Sequence, residues 1–207
     1  YRATKDIAIE MDLIEEVGRI FGYDNIPPAP PRVSLSRPHA NSQKRFERAA
    51  RAFLTAGAGL DEVITYSFAF DPLLDRIGAR PSERLEVRNA ISGEMPGLRT
   101  HLGPNLLGVL EKNAKEEERV SVFEIGRVYQ VERTEEGLPQ QPTTLGALLA
   151  LRETLEGPEL FMALKGILEG LARAVGRGRP EIRQGGLDVP WAHPVRQATL
   201  SCDGRVI

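Results

Sequence analysis

The alternation of apolar and polar residues in the middle of the chain predicts a strand, a helix and a second strand in succession. The segment 98–102 predicts the first strand. Gly103-Pro104 then favours a helix start, and leucines recur on one face of that helix until about Asn113. The segment 120–129 is rich in β-branched and aromatic residues, which predicts a long strand. We expect the rest of the chain to be arranged around this unit.

The same patterns predict the other elements of the chain. Asp12 is expected to cap the start of a first helix, and Gly22 is expected to end it. Asn41 or Ser42 is expected to cap the start of a second helix. Helices are predicted at 42–56 and 160–175, and the six strand segments at 62–68, 84–88, 98–102, 120–130, 145–151 and 197–207. We predict an α+β fold, a mainly antiparallel sheet flanked by helices. A parallel doubly wound sheet is the alternative, but the phosphate-binding glycines are missing and Asp203-Gly204 predicts a hairpin.

A cluster of prolines marks a boundary between two parts of the chain. Prolines cluster between residues 27 and 31, which is typical of a stiff linker. We therefore predict a first module at 1–27, a linker at 28–40 and a second domain at 41–207. The chain starts close to a strand-like segment and stops inside a predicted hairpin, so we expect it to be a fragment.

Composition limits the classes of function. Lys+Arg 27 against Asp+Glu 29 gives a formal charge of −2, so no overall basic field points to nucleic acid. One cysteine excludes an internal disulfide framework and favours a cytoplasmic location. No segment approaches the roughly 20 apolar residues of a membrane span, so we expect no membrane. His39, His101 and His193 lack the spacing of a zinc site.

Two stretches resemble a known family. "DLIEEVGRIFGYDNIP" and "LRTHLGPNLLGVLEKN" followed by "VFEIGRVYQ" are similar to the beta subunit of bacterial-type phenylalanyl-tRNA synthetase. The resemblance implies a class II aminoacyl-tRNA synthetase-like domain, as a non-catalytic copy, truncated at its C-terminal end. The first module would then be the end of a DNA-binding-like module. Val195 departs from the family, which has a glycine in this position.

The resemblance also implies a magnesium ion shared with the alpha subunit. Its ligands in this chain would be Asp6, Asp12, Glu15 and Glu16, and carboxylate oxygens suit Mg²⁺. The alternative is a capped helix whose glutamates are solvated, with Glu15 pairing with Arg19 one turn later.

Arg99 and Glu124 are the candidates for chemistry in the central unit. A glutamate inside an apolar strand needs a partner, and Arg99, Arg127 or backbone donors could supply one. Class II synthetases hold ATP with arginines, and Arg99 is the only remnant of these here; the ion pair with Glu124 is the favoured interpretation. Gly126 is predicted to form a bulge.

The implied function is structural. The fragment is expected to be catalytically inactive and to form the interface with the catalytic alpha subunit in an alpha2-beta2 heterotetramer, whereas ATP and tRNA are used by the complete ligase. The predicted interface residues are Phe46, Phe53, Leu98, Arg99, Leu102, Leu106 and Leu107. The alternative is a stand-alone class II synthetase-like binding module without ligase activity, with RNA as a ligand, because helix 42–56 carries several basic residues.

Overall fold

The computed structural model describes residues 7–37, 39–152, 157–185, 189, 192–193, 195–202 and 205–206. The chain divides into two units, residues 1–40 and 41–207. The helices and strands, in chain order, are α1 (Glu10–Phe21), α2 (Ser42–Ala52), β1 (Asp61–Glu62), α3 (Asp71–Arg76), α4 (Gly103–Asn113), β2 (Arg119–Arg127), β3 (Thr143–Leu151), α5 (Gly157–Ala174), β4 (Glu181–Gln184), β5 (Ala198–Cys202) and β6 (Arg205–Val206).

In the first unit, α1 begins three residues earlier than the capping pattern predicts, because Ile9 and not Asp12 is its N-cap. Asp12 is the third residue of the helix and not its cap: its Oδ2 accepts hydrogen bonds from the backbone N–H groups of Ala8 at 2.7 Å and Ile9 at 2.9 Å. A carboxylate in the first turn also interacts favourably with the helix dipole. The predicted end is confirmed, because Gly22 adopts a φ of 89° directly after the helix.

In the second unit, α2 has the predicted start, since Asn41 Oδ1 accepts a hydrogen bond from Lys44 N at 2.9 Å. The α-helix ends at Ala52 and continues as one π turn over Phe53–Gly57. The predicted helix 42–56 therefore has two parts. The predicted helix 160–175 is confirmed by α5, which begins three residues earlier.

The strands form two three-stranded sheets, β1-β2-β3 and β4-β5-β6. β2 pairs with β3 in antiparallel fashion and with β1 in parallel fashion, and both pairings in the second sheet are antiparallel. The mainly antiparallel α+β fold is thus confirmed. The single six-segment sheet was wrong, because the segment 197–207 belongs to the second sheet. Asp203 and Gly204 lie outside the described residues.

Of the predicted strands, 62–68 and 84–88 are much shorter than expected, and 98–102 does not form. The segment 62–68 retains only Asp61–Glu62 and an isolated bridge from Phe68 to Leu98, and the segment 84–88 only a bridge from Glu86 to Gly97. The segment 98–102 is not a strand. Its backbone is held by loop contacts, and Leu102 already accepts the first hydrogen bond of α4 from Leu106 N.

The core lies on both faces of the β2–β3 hairpin. On one face, Phe123 packs with Leu54 and Leu60, and Ile167 and Leu171 of α5 lie against this cluster. On the other face, Leu106 of α4 packs with side chains that alternate with the first set along β2, namely Val120 and Val122. Successive side chains of a strand point to opposite faces, so one hairpin supports a helix on each side.

Candidate functional site

Arg99 lies at the centre of the second unit, between the segment that follows β1 and strand β2. Its backbone is held from both sides, because Arg99 N donates to Ser67 O at 2.9 Å and Arg99 O accepts from Tyr129 N at 2.9 Å. These bonds fix the loop before α4 and direct the side chain towards β2.

The Arg99 side chain forms a buried ion pair with Glu124. Nη1 lies 2.7 Å from Glu124 Oε1, and Nε donates to Arg127 O at 2.9 Å. The Arg99 side chain is 4% exposed and that of Glu124 is 2% exposed. The favoured sequence-based interpretation of Arg99 is therefore confirmed. Burial of either charge alone would be costly, and the pair offsets that cost.

Thr65 completes the network and was not singled out from the sequence. Its Oγ1 accepts from Arg99 Nη1 at 2.8 Å and donates to Glu124 Oε2 at 2.7 Å. The available signal was the alternation of Val63, Thr65 and Ser67, which places these three side chains on one side of an extended segment. The network ties that segment, the Arg99 loop and β2 together.

Gly126 makes room for this network and does not form the predicted bulge. It pairs regularly with Thr144 in the β2–β3 ladder. A Cβ atom at Gly126 would overlap with Arg99 Nη2 and lie 3.0 Å from Glu124 Oε1. The glycine is needed because the guanidinium group crosses the strand at this position.

A second buried pair joins Asp71 and Arg84. Arg84 Nη1 and Nη2 donate to the two Asp71 carboxylate oxygens at 2.5 and 2.9 Å. These charge-assisted bonds from Arg84 lower the pKa of Asp71, and the Asp71 carboxylate that accepts them in turn raises the pKa of Arg84. Glu86 and Arg80 extend the cluster on its exposed side.

The predicted magnesium ligands are not brought together where the structure describes them. Asp6 lies outside the described residues. Asp12 uses Oδ2 to accept backbone N–H groups, which lowers its pKa, and Glu16 pairs with Arg19 at 2.7 Å, in place of the Glu15–Arg19 pair considered from the sequence. Within the described ranges, no three His, Cys, Asp or Glu side chains form a group that could hold a metal ion. The magnesium site therefore stays a prediction.

The predicted interface residues have unequal access to solvent. Phe46 is 45% exposed, and the half-buried members are Phe53, Leu98 and Leu107. Arg99, Leu102 and Leu106 are buried within the chain: Arg99 belongs to the ion pair, and Leu106 of α4 packs against Val120 and Val122 of β2. Their role in an interface stays a prediction.

Two strongly exposed apolar side chains of the second unit were not among the predicted interface residues. Ile64 is 91% exposed and Tyr66 is 81% exposed, and they flank the inward-facing Thr65. The segment was predicted as a strand with bulky residues on both faces, so the signal was present in the alternation.

The fold is that of the class II aminoacyl-tRNA synthetases. A solved pyrrolysyl-tRNA synthetase from Desulfitobacterium hafniense matches 77% of this chain and 54% of its own, with a TM-score of 0.58 at 18% identity. Within this class, the family model for the phenylalanyl-tRNA synthetase beta chain CLM domain matches residues 26–207. The chain belongs to this family.

Curated relatives agree with this assignment. The phenylalanine–tRNA ligase beta subunit of Bacillus cereus is 36% identical over 98% of this chain. That of Symbiobacterium thermophilum is 37% identical over 98% of this chain. The chain spans only 26% and 23% of the length of these two relatives.

Across the part of the chain that the structure describes, no helix combines the length and apolar character needed to cross a membrane.

Proposed function

We propose that this chain is part of the beta subunit of a phenylalanine–tRNA ligase, which attaches phenylalanine to its tRNA at the expense of ATP in the cytoplasm. The 207-residue region would be structural and would form the interface with the catalytic alpha subunit in an alpha2-beta2 heterotetramer. Family membership and the names of the relatives support the assignment.

The observation that carries the structural role is the ion pair between Arg99 and Glu124. An arginine that binds a nucleotide phosphate must present its N–H groups to the ligand, usually in a bidentate arrangement. The Arg99 donors instead face Glu124, Thr65 and a backbone carbonyl, and the side chain is almost completely buried. Arg99 would therefore not bind ATP, and adenylate formation would take place on the alpha subunit.

The exposed apolar side chains of the second unit support a protein interface. Ile64 and Tyr66 project from a segment whose inward side is fixed by the Thr65 network, and Phe46 projects from α2. A rigid segment that carries an exposed aromatic residue suits an interface, since little conformational entropy is lost on binding. Phe53, Leu98 and Leu107 remain candidates at its margin.

Magnesium, ATP and tRNA are proposed as ligands of the complete enzyme. If Asp12 or Glu16 binds Mg²⁺ there, the ion would share each carboxylate with the bonds seen in this chain, to the backbone N–H groups of Ala8 and Ile9 or to Arg19. A partner that supplies further oxygen ligands would be required, because Mg²⁺ needs near-octahedral geometry.

The test is ATP–pyrophosphate exchange with phenylalanine, combined with capture by a tagged alpha subunit. We expect the 207-residue chain to bind the alpha subunit and to give no exchange above a control without protein. Exchange that is lost in Arg99→Ala would contradict the structural role. Absence of alpha-subunit binding in a chain shown to be folded would contradict the interface.

The alternative function, a stand-alone RNA-binding module, is supported by the exposed basic face of α2. Lys44, Arg45 and Arg48 are exposed on this helix. If the module binds RNA, its affinity should fall steeply with salt and fall further in Lys44→Glu/Arg48→Glu. We expect the isolated chain to show no such binding to tRNA.

A further inference from the structure

Asn105 is a polar side chain of α4 that joins this helix to the segment with the exposed Ile64 and Tyr66. It is the third residue of α4. Its Nδ2 donates to two backbone carbonyls of that segment, Tyr66 O at 3.1 Å and Phe68 O at 3.2 Å. A side-chain amide nitrogen carries two hydrogen atoms, so both of its donors are used.

The two carbonyls lie on the side of the segment that faces away from the Arg99 loop. Arg99 N donates to Ser67 O at 2.9 Å, and Ala69 N donates to Gly97 O at 2.9 Å, so residues 67 and 69 bond to that loop. In an extended segment, the backbone groups of successive residues point to opposite sides. Among the strands that the structure describes, none pairs with this other side. The Asn105 amide therefore takes the place of the N–H groups that a neighbouring strand would supply.

The orientation of Tyr66 depends on this bond. Its side chain is 81% exposed and has few contacts of its own, so its direction is set by its backbone. Arg99 Nη1 lies 3.5 Å from Tyr66 O, at the limit of a hydrogen bond, and Asn105 supplies the shorter bond. Asn105 is itself firmly placed, because the next residue, Leu106, is 2% exposed and packs against β2.

We propose that Asn105 is a positioning residue of the alpha-subunit interface. It holds the backbone of residues 66–68 in the conformation in which Tyr66 contacts that subunit. A segment that is ordered before binding loses less conformational entropy when the partner binds. The proposal rests on the proposed interface function and adds a residue that acts on the partner through Tyr66.

A double-variant cycle tests whether Asn105 acts through Tyr66. The parent chain, Asn105→Ala, Tyr66→Ser and the double variant are each titrated calorimetrically with the alpha subunit. We expect Asn105→Ala to weaken binding about fivefold in the parent chain but less than about twofold in Tyr66→Ser, where no aromatic side chain is left to position. Asn113→Ala is the matched control, because Asn113 Nδ2 donates at 2.8 Å to Val109 O within the same helix. This change should leave the affinity unaltered.

The cycle separates the positioning role from the interface itself. A loss of equal size in both backgrounds would overturn the proposal, since Asn105 would then affect binding independently of Tyr66. Unchanged affinity in Asn105→Ala, together with weaker binding in Tyr66→Ser, would overturn the positioning role and leave the proposed interface intact. Parent-like affinity in Tyr66→Ser would overturn the interface at this segment, and the positioning role with it.

Amide hydrogen exchange gives a second measurement that does not need the alpha subunit. The Ala69 amide, which bonds to Gly97 O next to the carbonyls that Asn105 holds, reports on the order of the segment. We expect it to exchange at least about threefold faster in Asn105→Ala and at the parent rate in Asn113→Ala. Equal rates in the parent chain and Asn105→Ala would overturn the proposal, because the segment would then be ordered without this side chain.

Asn105→Asp replaces Asn105→Ala if the alanine variant does not fold. The carboxylate keeps the shape of the side chain but cannot donate a hydrogen bond. We therefore expect the same loss of affinity and the same faster exchange of the Ala69 amide. Parent-like values in both measurements would overturn the proposal.

Discussion

Arg99 Nη1 lies 2.7 Å from Glu124 Oε1, and the two side chains are 4% and 2% exposed, so the charges are almost completely removed from water. Thr65 bonds to both partners, and Arg127 O accepts from Arg99 Nε. A fully hydrogen-bonded pair of this kind fixes three segments relative to one another, and each partner depends on the other.

Loss of one partner should therefore be strongly destabilising. We expect Arg99→Met or Glu124→Leu alone to lower the free energy of unfolding by about 3–5 kcal/mol, because the remaining charge stays buried without its counter-ion. The double variant should lose clearly less than the sum of the two single losses. Urea denaturation of the four proteins measures the coupling, and additive losses would show that the pair does not act as a unit.

Gly126 should not tolerate even one additional carbon atom. Gly126→Ala places Cβ against Arg99 Nη2 and 3.0 Å from Glu124 Oε1, so we expect a loss of about 1–3 kcal/mol. Gly166 is the matched control, because it lies inside α5 and a Cβ atom added to it would have no neighbour within 4 Å. Gly166→Ala should stabilise the chain by up to about 1 kcal/mol, through helix propensity. Two losses of similar size would contradict the proposed role of Gly126.

The helices and the central hairpin could be predicted because each follows a simple periodicity that its packing preserves. α4 has leucines at helical spacing, and β2 has apolar residues that alternate between its two faces. Both patterns correspond to observed core contacts. Thr65 shows where this logic ends. Its segment alternates like a strand, but Thr65 N lies 3.4 Å from the side chain of Glu124, and the regular strand ends at Glu62.

Side-chain partners over long distances account for the remaining differences. No local pattern indicates that Asp71 binds Arg84, thirteen residues away, or that Arg99 needs Gly126. The same holds for access to solvent: Leu102 and Leu106 were predicted for an interface because they are apolar, and the fold uses them in its own core.

The Asp71–Arg84 pair should make stability depend on acidic pH. Arg84 holds the pKa of Asp71 below its ordinary value of 3.8, so the pair contributes stability above about pH 4. This contribution is lost as the pH falls through the lower, folded-state pKa, because the unfolded chain takes up the proton more readily. Asp71→Asn should reduce stability at neutral pH and make the decline between about pH 5 and 3 less steep.

Urea denaturation at a series of pH values measures this effect, with Asp61→Asn, a change at an exposed residue, as the control. An acid decline that is as steep in Asp71→Asn as in the parent chain would assign the dependence to other carboxylates.

Ile64 and Tyr66 should contribute to affinity for the alpha subunit without contributing to the fold. Because they are 91% and 81% exposed, we expect Ile64→Ser and Tyr66→Ser to change the free energy of unfolding by no more than about 0.5 kcal/mol. An aromatic residue buried by a partner commonly contributes more than about 1.4 kcal/mol, so Tyr66→Ser should weaken alpha-subunit binding about tenfold or more.

Ile91→Ser is the matched control, since Ile91 is 95% exposed but lies in a loop outside the Thr65 segment. Calorimetric titration of each variant with the alpha subunit gives the affinities, and thermal unfolding confirms that the variants are folded. Equal affinities for the parent chain and Tyr66→Ser would remove this segment from the interface. Ile91→Ser could also weaken alpha-subunit binding as much as Tyr66→Ser does. The binding surface would then not be restricted to the segment around Thr65, which would contradict the interface proposed from Ile64 and Tyr66.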